Sequence, residues 1–149
     1  MVDDENNFDE ARDALNGGLR EGLVELHTET LRTLDSNMRA GKDALGREWA
    51  PIKPESLRSR QVRTDDARPL VDTGDLRADI MSTSEVNVQE LYAIIGSSLD
   101  YAEVHELGAP EAGIPRRPIF APAAKYAERR APDILGAEID TRLEGATID

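Results

Sequence analysis

Phe8, Ala11, Leu15, Leu19, Leu23, Leu26, Thr30, Leu34 and Met38 recur at three- and four-residue steps. That spacing places them on one stripe of a helix and predicts a long amphipathic helix at the start of the chain. Asn7 stands where an N-cap would, with Glu10 three residues on as its reciprocal partner, so residues 1–7 read as a flexible acidic tail. Gly17-Gly18 interrupts the stripe at about 1 kcal/mol per glycine relative to alanine, and a kink or restart is expected there. Gly41 is a natural stop. His27 falls on the flank of the stripe and reads as a partly exposed helix histidine.

After the helix, Gly46-Arg47-Glu48-Trp49-Ala50-Pro51-Ile52 holds the only tryptophan. A tryptophan pinned between glycine and proline tucks its ring into the core and needs a partner for its N–H. Residues 53–69 have few apolar side chains but carry Arg58, Arg60, Arg63 and Arg68, and read as a mobile surface loop. That local positive charge fits a solvated loop paired with its own carboxylates, or equally a docking arm for an acidic neighbour or DNA. Asp72 or Thr73 can cap a short helix in which Leu76 and Ile80 share one face. Val86-Asn87-Val88 and Leu91 to Ile95 predict an antiparallel hairpin, its second strand the more deeply buried, with a further strand near Arg117 to Phe120. Tyr101, Val104 and either His105 or Gly108 are spaced for one helical face. Pro110, Pro115 and Pro118 stiffen the loop beyond. Ala121 to Arg130 is helical, and Pro132 is expected to restart that helix, with Ile134, Leu135, Ile139 and Leu143 as its apolar side. The fold class is α+β: a long N-terminal helix and a C-terminal helix packed on a small antiparallel sheet, with extended loops.

A chain of 149 residues fits one domain, 1–149, and can bury enough surface to need no staples. It has no cysteine, which excludes disulfides and thiolate metal sites. No apolar run approaches the roughly 20 residues that span a bilayer, and the acidic, polar start does not read as a secretory signal. Asp plus Glu number 30 against 18 Lys plus Arg, a net charge of −12, and only Lys42, Lys53 and Lys125 are lysines. Such a surface argues against gripping nucleic acid, because phosphate binding needs a positive field. It fits a protein from a salt-saturated cytoplasm or an ordinary acidic one, and a negative wall that DNA slides past is compatible with either.

The search for chemistry returns little. Asp72-Thr73-Gly74 after two apolar residues is the fingerprint of an aspartic protease, and Ile94-Ile95-Gly96 mimics that fold's second signature. Such an enzyme needs two aspartates sharing a proton. Here Asp75 replaces the small residue after the glycine, the second signature comes too soon, and a long helix has no place in an all-β protease. Helix capping explains the same residues. His105 with Glu103 and Glu106 lacks the second histidine one turn away that a helical zinc site needs. No phosphate-cradling loop or nucleophile elbow is present. Neither catalytic residues, cofactor nor metal is expected, and an interaction protein is favoured over an enzyme.

Four ordered blocks carry a resemblance. They are Gly46 to Ile52; Pro69-Leu70-Val71-Asp72-Thr73-Gly74-Asp75-Leu76; Ile95-Gly96-Ser97 through Tyr101-Ala102-Glu103-Val104-His105-Glu106-Leu107-Gly108; and Ile114-Pro115-Arg116-Arg117-Pro118-Ile119-Phe120. In order and spacing the chain resembles the virion-morphogenesis and tail-completion proteins of tailed phages and tailed archaeal viruses. It departs from them in ending the fourth block Pro118-Ile119-Phe120 rather than Pro-Phe-Leu, in an arginine-bearing rather than lysine-rich loop, and in an acidic surface that fits a virus of halophilic hosts.

The resemblance implies a non-enzymatic ring subunit at the neck or head-proximal end of the tail, surrounding the DNA channel. The implied partners are other copies of itself, six-fold or as a twelve-fold head–tail adaptor, and neighbouring neck, adaptor and tail-tube proteins. DNA would pass without specific recognition, and no membrane is involved. The implied place is the virion, assembled in the host cytoplasm. Within that reading, Arg58, Arg60, Arg63, Arg68, His105, Arg116, Arg117, Pro118 and Phe120 are candidates for subunit contact or loop docking. Arg116 and Arg117 would clamp a neighbour's carboxylate, or pair within the chain to Glu103 or Glu111. Trp49, Tyr101 and Leu76 are candidate core anchors, with Phe120 available to either role.

Overall fold

The computed structural model describes residues 4–53 and 74–146. Arg58, Arg60, Arg63, Arg68, Asp72 and Thr73 lie outside the described residues. In chain order the elements are α1 (Asp4–Arg39), α2 (Asp75–Thr83), β1 (Glu85–Asn87), β2 (Tyr92–Ile94), α3 (Asp100–Leu107), a 3-10 turn (Pro110–Ala112) and α4 (Phe120–Gly145). The fold is α+β, with long helices first and last and one two-stranded antiparallel sheet, β1–β2. Two compact units share these elements. One comprises Met1–Glu29, Val86–Ile94 and Ala127–Asp149; the other comprises Thr30–Glu85 and Ile95–Tyr126.

In the first unit, the early turns of α1 lie against the later turns of α4 at very short range. A Cβ added at Gly18 would sit 2.8 Å from Ile139 Cα, and one at Gly22 would sit 2.7 Å from Leu135 Cδ2. The expected restart is absent: α1 is one helix from Asp4 to Arg39, and Gly18 and Gly22 let a second helix approach its backbone. Asn7 is likewise inside the helix and not its cap. Arg130 closes the same face with a fork onto Glu29, at 3.0 and 3.1 Å, and Arg142 pairs with Glu21. Pro132 does not restart α4. It removes one amide from the ladder, but the turns on either side are held by Arg130 and by buried Ile134. His27 is buried rather than partly exposed, and its Nε2 donates to the Ile94 carbonyl of β2 at 3.3 Å. The second strand is more exposed than the first, against expectation, since Ala93 and Ile94 both face solvent. The tight turn before it puts Leu91 at φ 57°.

The second unit holds the main core: Leu34, Met38, Ala44, Trp49, Leu76, Ile80, Ala102, Ile119 and Ala123, with Leu31, Ile95, Leu99, Phe120 and Tyr126 packed on it. The α1 stripe is therefore buried unevenly. Leu34 and Met38 are fully covered, whereas Phe8 is 72% and Leu15 43% exposed. Gly41, at φ 73°, turns the chain out of α1. Asp43 then organises the turn from beneath, accepting from the backbone of Leu45 at 2.8 Å and Arg47 at 3.1 Å. The Lys42–Glu48 bridge brings Trp49 back to the core. Helix α2 starts at Gly74, which takes the cap position with φ 77° and makes no side-chain capping bond. Its Leu76 and Ile80 point inward, and Arg77 grips Asp35 of α1 at 2.6 and 3.0 Å. No strand forms at Arg117 to Phe120; Arg117 and Ile119 are buried there, and Phe120 already opens α4.

Candidate subunit interface

Residues 95–120 form a surface loop braced from behind, and each brace has a sequence origin. Gly108 ends α3 at φ 77°, where a Cβ would lie 3.0 Å from the Arg116 amide nitrogen. Only glycine lets the outgoing and returning strands of the loop approach this closely. The loop tip is a 3-10 turn at Pro110–Ala112, closed by the Ala109–Ile114 bridge. The returning chain is then tied at successive residues. Arg117 N–H donates to the His105 carbonyl at 2.7 Å, and the Trp49 indole N–H donates to the Pro118 carbonyl at 2.8 Å.

Glu106 ties the chain at three further residues. Its carboxylate accepts the amides of Ile119, Phe120 (2.9 Å) and Ala121 (2.9 Å), the first free N–H groups of α4. A negative charge at a helix N-terminus satisfies orphan donors and opposes the positive end of the dipole. Loss of such a cap costs about 0.5–2 kcal/mol.

Arg117 is 7% exposed, and its guanidinium donates to the carbonyls of Ala50 at 2.7 Å and Pro51 at 2.9 Å. Burial pushes its pKa down from the usual arginine value. Its fork is thus spent within the chain, on main-chain oxygens rather than on Glu103 or Glu111. The expected clamp is corrected for this residue: Arg117 is a brace. Arg116, next to it, is exposed and spends its Nε on the Glu106 carbonyl at 3.1 Å.

The other candidates fall as follows. Trp49 and Leu76 lie in the core cluster, with Phe120 half-buried against it. Tyr101 is not a core anchor. It is 43% exposed and meets the His105 ring edge-on at 6.2 Å, because the face of α3 that turns inward carries Ala102 instead. Burial and the nearby Asp75 and Asp79 raise its phenol pKa. His105 is half-buried and braces the loop through its main-chain carbonyl; Pro118 is half-buried and does the same for Trp49.

Sequence reasoning does not single out Asp43 or Asp79, and it considers Glu106 only as part of a metal site. Asp43 is nonetheless legible as the first residue of the Asp43-Ala44-Leu45-Gly46 turn. Glu106 caps a helix whose first turn lies 13 to 15 residues away, beyond any local capping pattern.

Between the loop tip and the end of α3 opens a cleft of about 270 Å³, lined by Lys53, Leu107, Gly108, Pro110, Gly113, Ile114, Pro115 and Arg116. Its lining carries two cations and no carboxylate. No grouping of three or more His, Asp or Glu side chains suited to a metal exists among the described residues. No described helix is long and apolar enough to cross a membrane.

The model of the phage virion morphogenesis family matches residues 5–142. The chain belongs to the phage virion morphogenesis family. This member is also 24% identical, over 111 residues, to an uncharacterized protein of Methanocaldococcus jannaschii, across 74% of this chain and 82% of the relative. No solved structure matches it. Family membership gives this virion morphogenesis protein a structural or assembly role in the virion. The braced loop lies inside the matched span, as do nearly all of α1 and of α4.

Proposed function

We propose that the protein is a ring-forming subunit at the neck or head-proximal end of the tail, joining head and tail around the DNA channel. The observation that carries this reading is the bracing of residues 105–120. Arg117, Trp49 and Glu106 hold the loop from inside, so that Arg116 and the apolar cleft are presented outward on a surface that cannot collapse. A pre-organised surface loses little conformational entropy on docking. The net charge of −12 supports a channel wall that repels the phosphate backbone and lets DNA move without sticking. The partners are then other copies of the chain and the neighbouring neck and tail-tube proteins.

Native mass spectrometry of the complex released from purified particles tests this. The expected result is a closed oligomer of six copies; twelve copies would make it a head–tail adaptor. Absence of the chain from particles would sink the reading.

A further inference from the structure

Two apolar features are exposed among the described residues. The first lies on α1, where Phe8 is 72% and Leu15 43% exposed. They stand at i and i+7, on one helix face and about 10 Å apart along it. The flanking residues Asp9, Glu10 and Asp13 outweigh Arg12, so this stretch is net acidic. The second lies on α3, where Tyr101, Val104 and Leu107 are 43%, 36% and 67% exposed. Their one-sided spacing spans about 9 Å. It leads through Leu107 into the 270 Å³ cleft, with Lys53 and Arg116 among its lining residues.

The two surfaces match in length and apolar character and are opposite in charge. A helix carrying anchors at i and i+7 is the usual occupant of an apolar groove. We propose that the first turns of α1 of one copy dock on the α3 stripe of the next, with Phe8 entering the cleft between Lys53 and Arg116. The cleft is larger than a phenyl ring needs, and its two cations are opposite in sign to the Asp9 and Glu10 carboxylates beside Phe8. The contact is head-to-tail: each chain offers a helix from one of its units and a cleft from the other. Such contacts propagate into closed rings when the rotation permits. This inference rests on the ring reading above and names its seam.

Three samples test it by mass photometry and sedimentation: wild type, Phe8→Asp and Leu107→Asp. Both substituted side chains are exposed, so each variant should keep the wild-type circular dichroism and Tm. Each alone should remain monomeric at concentrations where wild type assembles, with association weakened at least tenfold. A one-to-one mixture should form a heterodimer and stop there, because the Leu107→Asp chain still has its helix and the Phe8→Asp chain still has its cleft. Wild-type rings with unchanged Phe8→Asp rings would overturn the seam while leaving the ring reading standing. A mixture without heterodimer would also overturn the seam. A wild-type chain that stays monomeric at all concentrations and is absent from particles would overturn both.

Discussion

Asp79 shows how one side chain fixes a junction. It sits on α2, and its carboxylate accepts from the hydroxyls of Ser97 and Ser98 and from the Ser98 amide at 2.8 Å, with Thr83 Oγ1 at 3.3 Å. These bonds, led by the one from Ser97, lower its pKa from 3.8 to about 2. The depressed value means that the charged form is favoured by folding. Its contribution is complete above the unfolded value of 3.8 and is lost as pH falls through about 2. Asp79→Ala should therefore lower Tm at neutral pH, and the gap from wild type should narrow between about pH 4 and pH 2. Thermal melts across that window check it; a gap that stays constant down to pH 2 would show that the carboxylate charge is not what holds Ser97 and Ser98. Glu106 likewise gathers three donors, the backbone amides at a helix end. Arg117 differs, because its charge is buried and offset only by main-chain carbonyls.

At the scale of elements, the glycines of α1 and α4 separate two effects that look alike in sequence. Gly136 of α4 has nothing within 4 Å of where a Cβ would be, whereas at Gly18 the Cβ would sit 2.8 Å from the backbone of Ile139. A helix-interior glycine costs about 1 kcal/mol relative to alanine when nothing else intervenes. Gly136→Ala should thus raise stability by roughly 0.5–1 kcal/mol. Gly18→Ala should lower it by about 1–3 kcal/mol, because two helix backbones must move apart. Denaturant titrations of both variants decide the matter, and equal effects at the two sites would refute the close approach.

The same contrast marks what the sequence can tell. Period and punctuation are enough for the long helix, the stop at Gly41, the inward face of α2 through Leu76 and Ile80, and a tryptophan needing an N–H partner. Period gives a face but not its direction, so Tyr101 and Val104 do share a face of α3, yet that face points outward. A glycine in a helix reads as a break unless the packing partner is known, and Ile139 lies far along the chain from Gly18. The braces at Arg117 and Glu106 depend on partners distant in sequence, which no local pattern encodes.

Across the whole molecule, charge matters most. A net charge of −12 works against compactness, and the repulsion is concentrated where carboxylates share a surface. Glu138 of α4 is such a place. A hydrogen bond with Glu25 of α1, together with burial and the negative charges of Glu25 and Glu21, raises its pKa above the ordinary glutamate value. A raised carboxyl pKa has the opposite sign to Asp79. The protonated form is favoured by folding, so stability is present at acid pH and is lost as pH rises through the raised value. At neutral pH the ionised group is a liability that salt can screen, since the Debye length falls from about 10 Å at 0.1 M to about 3 Å at 1 M. Wild type should therefore melt higher as KCl is raised over that range. Glu138→Gln, which keeps the shape and removes the charge, should raise Tm most at low salt and neutral pH, and least at 1 M KCl or near pH 4. A Glu138→Gln increment independent of both salt and pH would mean that the substitution acts through packing and that repulsion at this face is negligible. Salt-dependent melts that rise for wild type but flatten in the variant would instead locate part of the salt requirement of this acidic virion protein in the Glu21, Glu25 and Glu138 surface.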